Sequence, residues 1–291
     1  MRHFEFYSPK SIGEALRFLS ERGDRTKIVA GGTDLIPRLR EGNFRPEFVV
    51  NILEIEELQG IREVQGGLRL GAATTHTQVA ESEILQRSYP SLAQAAASVG
   101  GPLIRNRGTI GGNLANASPA ADLAPALLSL NAEAVIRDGR GTRTVALKDF
   151  FAGPSKTVLH PDELLTEISI PPGKGKNIFL KLGRRQAMSL SIVNVAVCLE
   201  MEGKICRKSR IALGSVAPTP IRCPEAEALL INKELGPELI AKCAREAMAA
   251  SKPVDDQRAK AWYRLEAGTV LLRRALTAAA GQIALGREHR A

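Results

Sequence analysis

The sequence predicts an α+β protein of two domains. Three observations carry that expectation: short strand-like and helix-like segments alternate from the start, Pro171-Pro172 followed by Gly173-Lys174-Gly175-Lys176 interrupts the pattern, and three strand-like runs then precede two helical stretches. At 291 residues the chain is long enough for more than one core, and 44% hydrophobic with 24% charged residues is ordinary globular composition.

Phe4 to Tyr7 reads as a strand. A helix follows in which Ser11 and Glu14 form a capping box and Ile12, Ala15, Leu16 and Leu19 make an apolar stripe ending at Gly23. Lys27 to Val29 is a strand running into Gly31-Gly32, Thr33-Asp34 opens a short helix toward Arg40, and Phe48 to Ile52 is the next strand. Ile61 to Val64 and Leu68 to Leu70 flank Gly66-Gly67 as a hairpin. The second of these strands ends in Gly71 to Thr77, where Thr75 is a candidate N-cap. An Ala-rich helix from Ser91 to Val99 stops at Gly100-Gly101-Pro102, and a long polar loop from Gly101 to Asp122 launches the apolar helix Leu123 to Leu130. A loop of that length with so little bulk points to function.

After a hairpin around Asp138 to Gly141, the strand Leu164 to Ile170 closes on the double proline. Beyond it, Phe179 to Gly183, Ile192 to Met201 and Ile205 to Leu213 are strands, and Pro237 to Ala250 and Asp256 to Ala280 are helices packed on them. The last helix is basic and rich in Ala and Leu, which fits core packing or a contact with another subunit.

Several function classes are disfavoured. No run approaches the roughly 18 apolar residues that cross a bilayer, and the first residues lack a signal peptide's apolar core, so the expected location is the cytoplasm. Cys198, Cys206, Cys223 and Cys243 have no C-x-x-C spacing, which argues for reduced thiols and against a metal or iron–sulfur site in this chain. The net charge of +9 raises nucleic-acid binding, but the basic residues are interleaved with acidic ones and aromatics are only 4% of the chain. Docking to acidic partners or attraction of an anionic ligand is the better reading of that charge.

The chemistry centres on two Gly-Gly turns, Ala30-Gly31-Gly32-Thr33-Asp34-Leu35 and Thr109-Ile110-Gly111-Gly112-Asn113. A Gly-Gly pair permits positive φ and lets another group approach the main chain, so successive N–H donors converge on an anion. Thr33, Asp34 and Asn113 then stand ready to cap a helix or hold a sugar hydroxyl. Neither turn is a G-x-G-x-x-G dinucleotide turn or a phosphate loop, so the pair is expected to form a diphosphate cradle of another architecture.

With these motifs stand GAATTH at 71 to 76, GPLIRNRGTIGGNLANASPAADLAPAL at 101 to 127, KLGRR at 181 to 185 with SIVNVAV at 191 to 197, SVAPTP at 215 to 220, and RLEAGTVLLRRAL at 264 to 276. Together they resemble the FAD-binding medium subunit of the xanthine dehydrogenase and carbon monoxide dehydrogenase family, over essentially the whole chain. The resemblance implies a two-part FAD-binding domain of the vanillyl-alcohol oxidase (PCMH) type at 1–173, with subdomains of about 1–55 and 56–173. It also implies a small α+β C-terminal domain at 177–285 with a three-stranded antiparallel sheet and helices. It implies one noncovalent FAD. Ile28, Val29, Ala30, Gly31, Gly32, Thr33, Asp34 and Leu35 would wrap the diphosphate, with Thr109, Ile110, Gly111, Gly112 and Asn113 on its other side. Asp122 would lie toward the adenosine end and Leu165 beside the adenine. Val99, where xanthine dehydrogenases carry an aromatic, would meet the flavin, and Lys181 its edge. His76 joins these contacts, unless it is an ordinary helix N-terminal residue.

The implied role is electron transfer. The family's medium subunit works between a large molybdenum-cofactor subunit and a small subunit with two [2Fe–2S] clusters, in a dimer of heterotrimers. It hands electrons to an external acceptor that the sequence leaves open among NAD, quinone, ferredoxin and oxygen, and no hydroxylation is expected of this chain alone. The competing reading is a self-contained flavin oxidoreductase of the muramate-reductase type, which shares the FAD domain.

Overall fold

The computed structural model describes residues 3–173 and 175–281. The N-terminal unit contains β1 (Glu5–Tyr7), α1 (Ile12–Arg22), β2 (Thr26–Val29), α2 (Leu35–Arg40) and β3 (Phe48–Asn51), its strands forming a parallel sheet of order β1-β3-β2. The Ser11 hydroxyl accepts the Glu14 N–H and starts α1, whose Ile12, Ala15, Leu16 and Leu19 are buried. Only half of the expected capping box forms, because the Glu14 carboxylate accepts the N–H of Lys10 at 2.8 Å instead of closing on Ser11.

The second unit opens with the hairpin β4 (Ile61–Val64) and β5 (Gly67–Gly71). Six helices follow: α3 (His76–Glu81), α4 (Glu83–Ser88), α5 (Pro90–Ala97), α6 (Pro102–Arg105), α7 (Ile110–Asn116) and α8 (Leu123–Ser129). Then come β6 (Glu133–Arg137), β7 (Thr142–Ala146), the short hairpin β8 (Phe151–Gly153) and β9 (Lys156–Thr157), and β10 (Leu164–Ile170). An antiparallel sheet of order β4-β5-β10-β6-β7 results, with the helices on one face around Leu92, Ile110, Leu114, Leu123, Leu127 and Ile168. The polar stretch from Gly101 to Asp122 is therefore not a loop. Thr109 accepts the Gly112 N–H and caps α7, and Pro102 starts α6.

The C-terminal unit is β11 (Lys176–Gly183), β12 (Ser191–Glu202), β13 (Ile205–Gly214), β14 (Ile221–Arg222), α9 (Pro224–Leu230), β15 (Lys233–Glu234), α10 (Pro237–Ala249) and α11 (Ala261–Ala279). The three expected strands form its antiparallel core, and the two-residue β14 and β15 both pair with β13. The sheet is sandwiched: Phe179, Ala196, Cys198 and Ala212 face the second unit's core, while Leu180, Val195, Val197 and Leu213 face α10 and α11. Such two-sided burial explains why β12 reads as a nearly continuous apolar run. α11 starts at Ala261 and not at Asp256, because the acids ahead of it are occupied. Asp255 accepts the Ala261 N–H at 2.7 Å, and Asp256 accepts from Arg258 and from the fully buried Arg264.

The C-terminal unit is stitched to the second by polar contacts through that shared core. Asn177 accepts the Ser91 N–H at 2.9 Å, Arg210 donates to the Ser129 carbonyl at 2.8 Å, and Arg222 donates to the Leu128 carbonyl at 3.0 Å. All four cysteines are buried free thiols, and burial pushes Cys223 and Cys243 up to about 12, so neither forms thiolate at neutral pH. No helix among the described residues is long and apolar enough to cross a membrane.

Candidate functional site

The first Gly-Gly turn lies against the residues that lead into the second. Gly31 meets the main chain of Arg107 and Gly108 so closely that a Cβ there would stand 1.9 Å from the Arg107 carbonyl oxygen. The close approach that Gly31 permits is thus by the protein's own backbone. Gly32 has a different function: its φ of +72° turns the chain from β2 into α2.

The N–H groups of Gly31, Gly32, Thr33, Asp34 and Leu35 meet no acceptor among the described residues. Those of Asp34 and Leu35 are the ordinary open donors of a helix N-terminus, and those of the half-buried Gly31, Gly32 and Thr33 extend the row. Successive donors in one turn suit an anion. Asp34 does not cap α2 with its side chain; it pairs instead with Arg38 at 3.1 Å.

The second turn differs from expectation. Ile110 N–H donates to Thr74, Gly111 N–H to Ala72, Gly112 N–H to the Thr109 hydroxyl, and Asn113 N–H to the Thr109 carbonyl. Its amides are therefore spent on the protein, tying α7 to the strap Ala72–Thr75 beneath it. What it can offer a ligand is the exposed Cα of Gly112 and the Asn113 Oδ1, a buried acceptor with no partner. The consumed amides follow from the cap and strap, neither of which a Gly-Gly pattern discloses.

His76 follows the Thr75 cap, whose capping box with Gln78 is complete. Its N–H donates to Gly108 at 2.9 Å, and its ring is buried with Nδ1 unpartnered. Burial, reinforced by the Arg105 charge, lowers its pKa to about 4, so the imidazole is neutral at pH 7. Because the folded value lies below the ordinary 6.5, the unfolded chain binds a proton between pH 6.5 and 4 that the native state refuses. Stability should therefore fall as the pH is lowered through that window, by about 3 kcal/mol in total. Urea midpoints between pH 7 and pH 4.5 should show this slope, and His76→Gln should flatten it.

Asp122 and Lys181 form one buried ion pair, Nζ to Oδ2 at 2.5 Å. Lys181 also donates to the Ser98 carbonyl at 2.9 Å. Asp122 accepts from the Ser191 hydroxyl at 2.5 Å and the Asn194 amide at 2.9 Å. Burial pushes the Asp122 carboxyl up, opposed by Lys181 and by the two neutral donors. Asp122 and Lys181, expected toward the adenosine end and the flavin edge, are brought into direct contact by the fold. Asp122 belongs with Lys181, beside Val99, whose neighbour Ser98 supplies the carbonyl.

The remaining expected contacts scatter more. Ile28, Val29 and Ala30 pack into the small cores beneath β2. Leu165 is 4% exposed within the main core of the second unit, next to a register shift in β10. Ser191 and Asn194 carried no assigned role in the sequence. Their signal was present: two polar residues at a spacing of three in the otherwise apolar run from Ser191 to Leu199, where burial obliges them to find partners.

The donor row of the first turn, the orphaned Asn113 and His76 atoms, and the fixed Asp122–Lys181 pair suit a dinucleotide-like anion with a polar ring. Comparison with known proteins agrees. Residues 2–173 match the family described as the FAD binding domain in molybdopterin dehydrogenase, and residues 178–279 the CO dehydrogenase flavoprotein C-terminal domain. The chain is 34% identical over 277 residues to the carbon monoxide dehydrogenase medium chain of Hydrogenophaga pseudoflava, covering 95% of this chain and 96% of that one. It is 33% identical over 273 residues to the glyceraldehyde dehydrogenase medium chain of Sulfolobus acidocaldarius, covering 94% and 96%. A solved carbon monoxide dehydrogenase from Hydrogenophaga pseudoflava superposes with a TM-score of 0.93 at 35% identity, over 97% of this chain and 99% of that chain. Quinoline 2-oxidoreductase from Pseudomonas putida 86 gives 0.91 at 29% identity, over 97% and 98%.

Proposed function

The chain belongs to the family of FAD-binding medium subunits of molybdenum-containing dehydrogenases, and from that premise we propose that it relays electrons, through bound FAD, from a partner's iron–sulfur clusters to an external acceptor. It is an oxidoreductase subunit. The single observation that supports the relay reading is the row of N–H donors at Gly31–Leu35 with no acceptor among the described residues, which suits the diphosphate of a flavin dinucleotide.

When bound, FAD supplies the ability to exchange electrons singly or in pairs. The residues of this chain would do the rest. The amides of Gly31 to Leu35 would hold the diphosphate without a buried counter-lysine, and Gly32 sets the turn that aims them. Asn113 Oδ1 would accept from a ligand hydroxyl. The neutral His76 leaves the cradle free of a titrating charge near pH 7. Lys181, held by Asp122 and Ser98, would keep a positive charge at a fixed place beside the flavin edge, where reduction builds negative charge. Asp122 is in turn held by Ser191 and Asn194 of β12, so the C-terminal unit fixes the electrostatics of the pocket. We take 1–173 as the FAD-binding domain and 177–285 as the C-terminal domain.

The partners we propose are a large molybdopterin-binding subunit and a small subunit with two [2Fe–2S] clusters, assembled as a dimer of heterotrimers in the cytoplasm. The purified chain should bind one FAD that acid or urea releases into the supernatant. It should show no hydroxylation of purines, aldehydes, aromatic heterocycles or carbon monoxide, whereas the complex coexpressed with its partners should bleach its flavin absorbance on addition of substrate. Substrate turnover by the chain alone, as a self-contained flavin oxidoreductase would give, or bleaching that survives removal of the iron–sulfur subunit, would overturn the relay.

A further inference from the structure

A groove of about 1150 Å³ runs along the outer edge of the C-terminal sheet, between α5 of the second unit and α11. Its floor is the chain itself. Phe179, Leu180, Lys181, Leu182 and Gly183 all border it in succession, although the side chains of Phe179 and Leu180 are buried on opposite faces of the sheet. What faces the groove is thus the backbone edge of β11.

β11 has β12 as its one neighbour in the sheet order, and none of the N–H or C=O groups of residues 179–183 bonds outside that ladder among the described residues. In an antiparallel pair, about half of an edge strand's backbone groups point away from its partner. The usual protection of such an edge by an outward lysine is missing, because Lys181 is turned to Asp122 and Ser98. α5 presents the short side chains of Pro90, Ala93 and Ala97 together with Gln94, and α11 presents Leu271 and Arg274.

The charge around the groove has one sign. Arg184, Arg185 and Arg274 border it, and no acidic residue does. Arg274 has no ion-pair partner among the described residues, and the guanidinium groups of Arg184 and Arg185 meet only carbonyl oxygens. A nearby arginine cluster with no internal carboxylate favours an anionic visitor.

We propose that this groove is a strand-addition site that receives an extended acidic segment of a partner polypeptide, hydrogen-bonded along β11 from Phe179 to Leu182 and steered by Arg184, Arg185 and Arg274. Main-chain bonds to the edge supply the affinity and the arginines select the sign of charge. The register shift between Leu182 and Gly183 ends the addition, so about four residues of the visitor, roughly 13 Å of strand, are engaged. Because Lys181 borders the groove, the visitor lies beside the pair proposed to face the flavin, and the inference rests on the chain being one subunit of a complex.

The test compares backbone hydrogen exchange at residues 179–183 in the FAD-loaded chain alone and in the coexpressed complex. Exchange in the complex should slow at least tenfold there. Arg184→Glu with Arg274→Glu, and separately Ala97→Trp to fill the groove, should each weaken association with the partner at least tenfold by titration while leaving FAD content and the urea midpoint unchanged. Equal exchange in the two states, protection that appears in the chain alone with a second copy bound, or association indifferent to both variants would overturn the proposal. A chain that never takes up FAD would count against the function proposed above and not against the groove.

Discussion

Lys181→Met is expected to destabilise the protein by about 3–5 kcal/mol at neutral pH, the cost of leaving one member of a buried ion pair behind. The pair is enclosed, with the Lys181 side chain 12% and the Asp122 side chain 7% exposed. Methionine keeps the apolar stem of the lysine and removes the ammonium, so the loss isolates charge from packing. Ser191 and Asn194 would still donate to Asp122, but two neutral donors do not replace a cation in a largely buried site. The carboxyl, which burial already pushes up, would rise further. A group whose pKa is raised in the folded state stabilises at low pH and loses that contribution as the pH rises. The variant should accordingly recover part of its deficit between pH 7.5 and pH 5. Adding Asp122→Asn removes the stranded charge, and the double variant should sit closer to the parent than Lys181→Met does. Urea midpoints of the three proteins settle the matter: a single-variant cost under about 1 kcal/mol, as at an exposed pair, would show that the contact is not the anchor of this interface.

Most of the framework could be read from the residues because local rules and burial pointed the same way. Ile12, Ala15, Leu16 and Leu19 repeat at helical spacing and all four are buried in α1. Thr75 reads as an N-cap and is one, and in the structure Gln78 completes a capping box with it. The three long C-terminal strands show as apolar runs because both sheet faces are covered. The misread places are those where a side chain answers a distant partner. Glu14 was expected to close on its own cap and instead accepts from Lys10. Gly101 to Asp122 lacks the apolar periodicity of a helix, yet α7 is held by carbonyl groups of residues 72 and 74, some 40 positions earlier.

The site shows the same division. The glycine turns announce themselves by composition, and Gly31 lies against Arg107 and Gly108, directly ahead of the second turn. Which amides remain free within them is a property of tertiary hydrogen bonding. Ser191 and Asn194 could have been suspected, since a buried hydroxyl and a buried amide in an apolar strand need partners. That both would converge on Asp122, some 70 residues away in sequence, follows only from the packing of β12 against the start of α8.

Adjacent glycines in the first turn should fail in different ways when replaced. At Gly31 an added Cβ would lie 1.9 Å from the Arg107 carbonyl oxygen, a distance that backbone atoms cannot relieve without parting the two turns. Gly31→Ala should therefore lower the urea midpoint and FAD affinity together. Gly32 has more room: its Cβ would meet the Ile36 Cγ1 at 3.0 Å, at the end of a side chain free to shift, but its φ of +72° suits a β-branched residue poorly. Gly32→Val should cost about 1–3 kcal/mol in backbone strain if the turn holds, and a turn that relaxes to escape the strain swings the N–H donors of residues 32 to 34 off their common focus. Relaxation is the expected outcome, so FAD suffers more than the fold, by at least about 100-fold in Kd, or about 2.8 kcal/mol. Gly32→Ala, which accepts the same φ at lower cost, should fall between Gly32→Val and the parent in FAD affinity while keeping the parent's circular dichroism. Titration of FAD against each folded apoprotein, with urea curves alongside, separates the two glycines. Unchanged FAD affinity in a folded Gly32→Val protein would mean that the free amides of this turn are not where the diphosphate binds.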